Sequence, residues 1–189
     1  MRPVGRWQPG AAGRLQRAAM ELFVERGYDQ TTVAEIAERA ELTERTFFRY
    51  YADKREVLFA GSSLLQDALV AALREADEGL PPIEQVVVAL EAAGELFIDR
   101  HHARRRHVVI SAHAELRERE LLKMAALSAA LADGLRARGV SEPTATLSAE
   151  AGVAVFKVAF ERWIAPKETR DFRALMRESL GDLRVATAR

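Results

Sequence analysis

Apolar residues recur along nearly the whole chain at the three- and four-residue spacing of helices. Leu15, Ala18, Ala19, Leu22 and Phe23 mark a first helix, which Gly27 stops. Thr32 and Glu35 form a T-x-x-E capping box opening a second, with Val33, Ile36, Ala37 and Ala40 on one face. Only Glu41 and Leu42 separate it from Thr43, the candidate N-cap of a third helix ending near residue 51. Asp53, with Glu56 three residues on, then caps a long fourth helix expected over 54–78. Gly79, Pro81 and Pro82 break the chain there. Helical patterns resume over 83–99, 105–116, 118–138, 144–164 and 170–185, punctuated by Gly139, Pro143 and Pro166. The β-branched runs at 86–88 and 108–110 have no flanking turns, so no strand is expected.

The pattern therefore predicts an all-α chain of about nine helices in two parts. Residues 1–13, with Pro3, Gly5, Pro9, Gly10 and Gly13, form a flexible basic arm; 14–55 form a three-helix head; 56–189 form a C-terminal helical bundle. Apolar residues are 49% of the chain, enough for a sizeable core. The absence of cysteine excludes a disulfide framework, cysteine-ligated zinc, iron–sulfur clusters and a cysteine nucleophile. No run of about 18 apolar residues and no apolar signal core is found, so no membrane association is expected and the chain reads as cytoplasmic.

Charge balances at 28 basic against 28 acidic residues, so a polyanion must be met by a local patch. The head supplies one. Arg45, Arg49, Lys54 and Arg55 outweigh Glu44 and Asp53 across 43–55, and Arg2, Arg6, Arg14 and Arg17 stand in a first stretch of 20 residues without an acid. Two short helices joined by a tight turn, with a third behind, make the helix-turn-helix arrangement, whose second helix enters a major groove. Four aromatics, Phe47, Phe48, Tyr50 and Tyr51, fall in five residues. Successive residues turn by about 100°, so at least one must face outward.

The segment from Gly27 through Thr32, Val33, Glu35, Ile36 and Ala37, followed by Leu42-Thr-Glu-Arg-Thr-Phe-Phe-Arg-Tyr-Tyr-Ala-Asp-Lys, resembles the TetR family of one-component transcriptional regulators over about residues 14–61. The resemblance implies Thr32 and Thr43 as phosphate-gripping caps, and Glu44, Arg45, Thr46 and Tyr50 nearest the base edges, with Arg49 beside them on the same helix. It implies Lys54 as a phosphate-binding lysine, and Phe47 and Tyr51 as inward-packing. Phe48 stands where the family usually has a phosphate-contacting tyrosine, so that contact is lost or reduced to packing against the sugar. Glu41 stands where glycine is common, so the turn must hold a Cβ in a tight or left-handed conformation.

In the C-terminal part, 146–164 is apolar on almost every side except for Glu150, Lys157 and Glu161. Such a helix must be covered on two faces, and a two-fold mate is the simplest cover. Val153, Val155 and Trp163 with Phe172, Leu175, Met176 and Leu183 are the expected homodimer interface. The resemblance also implies a small-effector cavity in the bundle. Phe59, Phe97, His113, Met124, Phe156 and Phe160 are its candidate walls, although Phe156, Phe160 and Trp163 at helical spacing also suit core or interface. The stretch Arg100-His-His-Ala-Arg-Arg-Arg-His107 suits a solvated basic turn, with an acidic effector or a metal as sharper alternatives. Adjacent His101 and His102 diverge on a helix, so no metal is expected.

These features point to a non-enzymatic regulator without a cofactor. It would bind double-stranded DNA as a homodimer, most simply as a repressor of a pseudo-palindromic operator released by a small-molecule effector. The alternative is a helical ligand carrier, adaptor or enzyme with a degenerate head.

Overall fold

A computed structural model of the chain describes residues 10–93 and 99–188. Among these residues there is no strand, and the elements are nine α-helices. In chain order they are α1 (Ala11–Arg26), α2 (Val33–Arg39), α3 (Glu44–Tyr50), α4 (Ser62–Glu75), α5 (Pro82–Ala93), α6 (Arg100–Ala112), α7 (Ala114–Ala137), α8 (Thr144–Trp163) and α9 (Phe172–Thr187). Helix α1 starts at Ala11, so the last three residues assigned to the arm are helical. Phe97 and the arm's Arg2 and Arg6 lie outside the described residues.

The expected helix over 54–78 is not continuous. Val57, Leu58 and Phe59 are consecutive and all buried, which one face of an α-helix cannot achieve; they form a 3-10 turn, Glu56–Phe59. Gly61 then reverses the chain at φ +88° before α4 begins. The 20 residues Glu56–Glu75 have a mean hydropathy of 1.4 and pass for a membrane span by length and composition. The break at Gly61 leaves α4 only 14 residues, about 21 Å long. That falls short of the ~30 Å of a bilayer core. The patterns at 105–116 and 118–138 meet at His113, where α6 ends and α7 begins.

The chain divides into two compact units. The head comprises residues up to Ala60 together with Arg105–Leu116, more than the 14–55 expected. Its core joins Leu15, Leu22 and Phe23 of α1, Ile36 of α2, Phe47 of α3 and Val57, Leu58 and Phe59, with Ile110 and Leu116 from the later segment. Arg106 Nε donates to the Leu58 carbonyl at 2.6 Å and its guanidinium lies 5.2 Å from the Phe59 ring centre.

In the second unit, residues 61–104 and 117–189, α5 packs on α4, α8 and α9, and α8 packs on α9. Gly152 allows the α5–α8 approach: a Cβ there would meet Val86 Cγ1 at 2.3 Å. Glu91 of α5 is buried and paired with α9, its carboxylate accepting from Arg177 Nε at 3.0 Å with Arg173 Nε at 3.7 Å. Phe156, Phe160, Trp163 and Phe172 form one aromatic cluster, with ring centres 5.5–6.1 Å apart.

Candidate nucleic-acid interface

Helices α2 and α3 are short, and each is fixed by its own cap. Thr32 Oγ1 accepts from the Glu35 amide at 3.2 Å, while the Glu35 carboxylate accepts from the Thr32 amide and hydroxyl at 2.9 Å each. Those bonds, the backbone one foremost, hold the Glu35 carboxyl below its usual range, and Arg26 pairs with it at 2.8 Å. This completed capping box has a consequence for the phosphate role implied for Thr32. Its hydroxyl proton is committed to Glu35, whose charge already occupies the helix start.

Thr43 caps α3 by accepting from the Thr46 amide at 3.2 Å. Between the helices, Glu41 sits at φ +55°, as the missing glycine requires. Its amide donates to the Glu38 carbonyl and the Leu42 amide to the Ala37 carbonyl, each at 2.9 Å. These are the two bonds of a complete Schellman motif, formed here with a glutamate in the left-handed position. The turn keeps its geometry and carries the strain of a Cβ, about 1 kcal/mol.

Helix α3 has two faces. Phe47 is fully buried, and Tyr51, just after the helix, is nearly so, its hydroxyl donating to the Ala12 carbonyl at 3.2 Å. Thr43, Glu44, Arg45, Phe48, Arg49 and Tyr50 are exposed and Thr46 half-buried. Phe48 and Tyr50 leave 55% and 45% of their surface open, more than solvation alone favours for aromatics on so short a helix. Arg49 donates to the Tyr50 hydroxyl at 3.3 Å and lies 5.0 Å from that ring's centre. Arg45 has no ion-pair partner among the described residues, nor do Arg14 and Arg17. Arg55, by contrast, is tied to Asp53 at 2.6 Å.

Lys54, for which the resemblance implies a phosphate contact, has internal partners in this structure. Its Nζ turns inward and donates to the carbonyls of Tyr28, Thr31 and Asp29 at 2.9, 3.2 and 3.4 Å. A cluster the sequence did not announce lies beside it. The Tyr28 ring is 4.9 Å from that of His113, whose Nδ1 donates to the Val109 carbonyl at 2.8 Å and whose Nε2 is 3.6 Å from Asp29. Burial first, and the Glu115 carboxylate next, push the Tyr28 hydroxyl well above its ordinary value. Isolated residues on short spacings carry no signal for such a cluster.

The expected bundle sites need correction. Phe59 belongs to the head core and His113 packs on Tyr28, so neither lines a bundle cavity. Phe156 is core, while Met124 and Phe160 are half-buried against that core. The expected interface residues Val153, Val155, Trp163, Phe172, Leu175 and Met176 are at most 6% exposed within one chain, and Leu183 packs on the same core. They pack α8 against α9 of the same chain, with only Leu183 of the set half-buried. The apolar residues that α8 does expose are Leu147, Ala154 and Val158, spaced to share one face with the exposed Glu150, Lys157 and Glu161. The basic stretch at 100–107 is not a solvated turn either. Arg104 donates to the carbonyls just after α8, Ile164 at 2.5 Å and Ala165 at 2.8 Å, and Arg100 donates to the Glu168 and Arg170 carbonyls. An open groove of about 520 Å³ lies along α4 and α7, lined by Val70, Arg74, Asp133, Gly134 and Arg138 among others.

Two capped helices joined across residues 40–43, the second presenting arginines and aromatics outward, define a helix-turn-helix head on an all-α chain. Residues 15–60 match the model for bacterial regulatory proteins of the tetR family, and residues 80–187, more than half the chain, match the MftR C-terminal domain. The chain belongs to the TetR family. It is 42% identical over 79 residues to the transcriptional regulator TcmR of Streptomyces glaucescens, which is 42% of this chain but only 35% of that protein. The match thus spans about a third of that relative's length. FadR of Thermus thermophilus, a TetR-family repressor solved with lauroyl-CoA, shares 26% identity over 91% of this chain and 92% of its own, at a TM-score of 0.59. The fatty acid degradation regulator FadR of Bacillus halodurans has the same fold at 19% identity, with 97% and 99% covered and a TM-score of 0.62.

Proposed function

We propose that the protein is a cytoplasmic, non-catalytic transcriptional regulator that binds a pseudo-palindromic operator as a homodimer, acting as a repressor released by a small-molecule effector. The observation that carries this reading is the outward face of α3, where Arg45, Phe48, Arg49 and Tyr50 are exposed around a buried Phe47. Arg45 and Arg49 supply charge and bidentate donors for base edges, and exposed aromatics suit thymine methyls and sugars. Thr43, Glu44 and Thr46 stand on the first turn of the same helix, where groove entry begins. The degenerate-head alternative loses its main support, since Glu41 is accommodated with both turn bonds intact.

Dimerisation falls to the exposed α8 face of Leu147, Ala154 and Val158, with Val185 of α9 at 78% exposure. A two-fold pair sets two α3 helices on successive groove faces, about 34 Å apart. Arg14, Arg17, Arg45 and Arg49 from each chain would then neutralise up to eight phosphates or base edges. A salt rise from 50 to 200 mM should weaken binding by about 10⁴-fold. The effector belongs to the C-terminal bundle, with half-buried Met124 and Phe160 at its side. An acyl thioester is the first class to try, because the Thermus relative was solved with one.

Selection of bound duplexes from a random library at about 100 mM salt tests the reading. Recovery of a pseudo-palindrome supports it, and the recovered duplex then serves to screen acyl thioesters for release. A folded dimer that enriches no motif would overturn it.

A further inference from the structure

Helix α7 comes close to α4 at Gly134, where a Cβ would meet Leu73 Cδ2 at 2.7 Å. Ala130, Gly134 and Ala137 stand at i, i+4 and i+7 on one face of α7, and their small side chains leave the groove of about 520 Å³ open against Val70 and Arg74 of α4. That surface is apolar, but the cations beside it are not matched by acids. Arg138 lines the groove with its side chain only 9% exposed. It donates from Nε to Gln85 Oε1 at 3.0 Å, from Nη1 to the Arg74 carbonyl at 2.7 Å and from Nη2 to the Ala76 carbonyl at 2.6 Å. A guanidinium has five N–H groups, so two remain. The Glu78 carboxylate, 83% exposed, comes no nearer than 3.9 Å. Arg74 is exposed and has no ion-pair partner among the described residues. Asp133 also lines the groove, but it is already paired with Arg136. Capping the end of α4 accounts for the bonds to the two carbonyls. It does not neutralise a buried guanidinium, which stays costly until an anion faces it.

We propose that this groove binds a small carboxylate with an apolar body, at a site distinct from the effector region beside Met124 and Phe160. Gly134 lies ten residues beyond Met124 on α7, about 15 Å along the helix. The carboxylate meets Arg138 and Arg74, whose planar forks match its two oxygens. The body lies on Val70, Ala130, Gly134 and Ala137. A single charge fits better than the double charge of a phosphate monoester, because Asp133 shares the groove and repels the excess. A neutral hydrocarbon would cover the same surface but leave Arg138 as unmatched as before. The site lies within one chain and needs neither operator nor partner, so it stands or falls apart from the regulator reading.

The probes are 4-butylbenzoate and its neutral isostere 4-butylbenzamide, titrated with the full chain and followed by the NMR signals of the ligand. The benzoate should bind, and the amide about tenfold more weakly or worse, the scale of one charge-assisted hydrogen bond. Arg74→Gln, a change at an exposed position, should weaken the benzoate about tenfold and leave the amide as it is. Ala130→Phe fills the groove and should abolish binding of both probes. Should that variant not fold, Ala137→Phe fills the groove from an exposed position and should give the same result. Benzoate binding that survives the filling would lie elsewhere in the chain and overturn the inference. Equal affinity for the two probes, or an unchanged benzoate affinity in Arg74→Gln, would remove the anion from it. No binding by the wild type up to about 10 mM would sink it outright.

Discussion

Phe47 and Phe48 are neighbours in sequence, diverge by about 100° around α3, and meet edge to face with ring centres 5.5 Å apart. The first is fully buried and the second 55% exposed, so adjacent aromatics divide between folding and recognition. Phe47→Ala should cost about 3–5 kcal/mol of stability by opening a cavity in the head. Phe48→Ala should leave stability within about 0.5 kcal/mol and weaken DNA binding instead. Thermal melts paired with duplex titrations separate the two.

Arg45 carries a different signature. Exposed near the start of α3 with no internal partner, it is free to fork onto a base pair. Arg45→Ala should flatten preference at one base position, at about 1–3 kcal/mol of discrimination. Repeating the duplex selection with the variant gives the answer; a uniform loss across all sequences would place Arg45 on phosphate.

Much of the head was legible because its signals are local. The Thr32–Glu35 box, the Thr43 cap and the strain at Glu41 each follow from a few adjacent residues, and all are present. The break at Gly61 was missed because a run of apolar residues reads as helix until its members prove to be buried on every side. Which face of α8 the chain covers by itself was hidden for a related reason. On a helix apolar nearly all round, periodicity cannot say which face is covered by α9 of the same chain and which by a second copy. The inward turn of Lys54 was invisible because its partners are carbonyls, which every residue has.

Glu41 offers a gain in stability. Its left-handed backbone completes a turn that glycine would complete without a Cβ clash. Glu41→Gly should raise stability by about 0.5–1 kcal/mol, less than the full strain because glycine also loosens the unfolded chain. Chemical denaturation measures it, and a loss of stability would mean that the glutamate side chain contributes more than its backbone costs.

Acid should loosen the head through two carboxylates. Asp53 is held below its usual range by Arg55 first, and by the amides of Glu56 and Arg55. Glu35 is lowered by Thr32. Folded values below unfolded ones mean that this stabilisation is complete above the ordinary carboxylate range, about pH 4, and fades as pH falls through the lowered values. Melting temperature followed from pH 7 to about 3 should drop more steeply in wild type than in Asp53→Asn.

The α8 face can be tested by charge. Val158→Glu places a carboxylate on the exposed stripe and should give folded monomers in analytical ultracentrifugation, with operator affinity reduced. Leu175→Ala, wholly inside one chain, should cost about 2–5 kcal/mol without changing the assembly of the folded fraction. Dimers persisting in Val158→Glu would move the interface elsewhere.

Glu91 gives α9 a definite address. The apolar stripe of that helix, Phe172, Leu175, Met176 and Leu180, repeats every few residues and would pack nearly as well after a slip of one turn. A buried carboxylate has no such tolerance, since leaving it without a cation is far costlier than shifting a leucine. A slip of one turn would bring Arg173 to Glu91 in place of Arg177 but would set Leu180 where Arg184 now pairs with Glu84, so the two ion pairs together write the alignment of α9 against α5 in charge, where oil alone would have left it ambiguous.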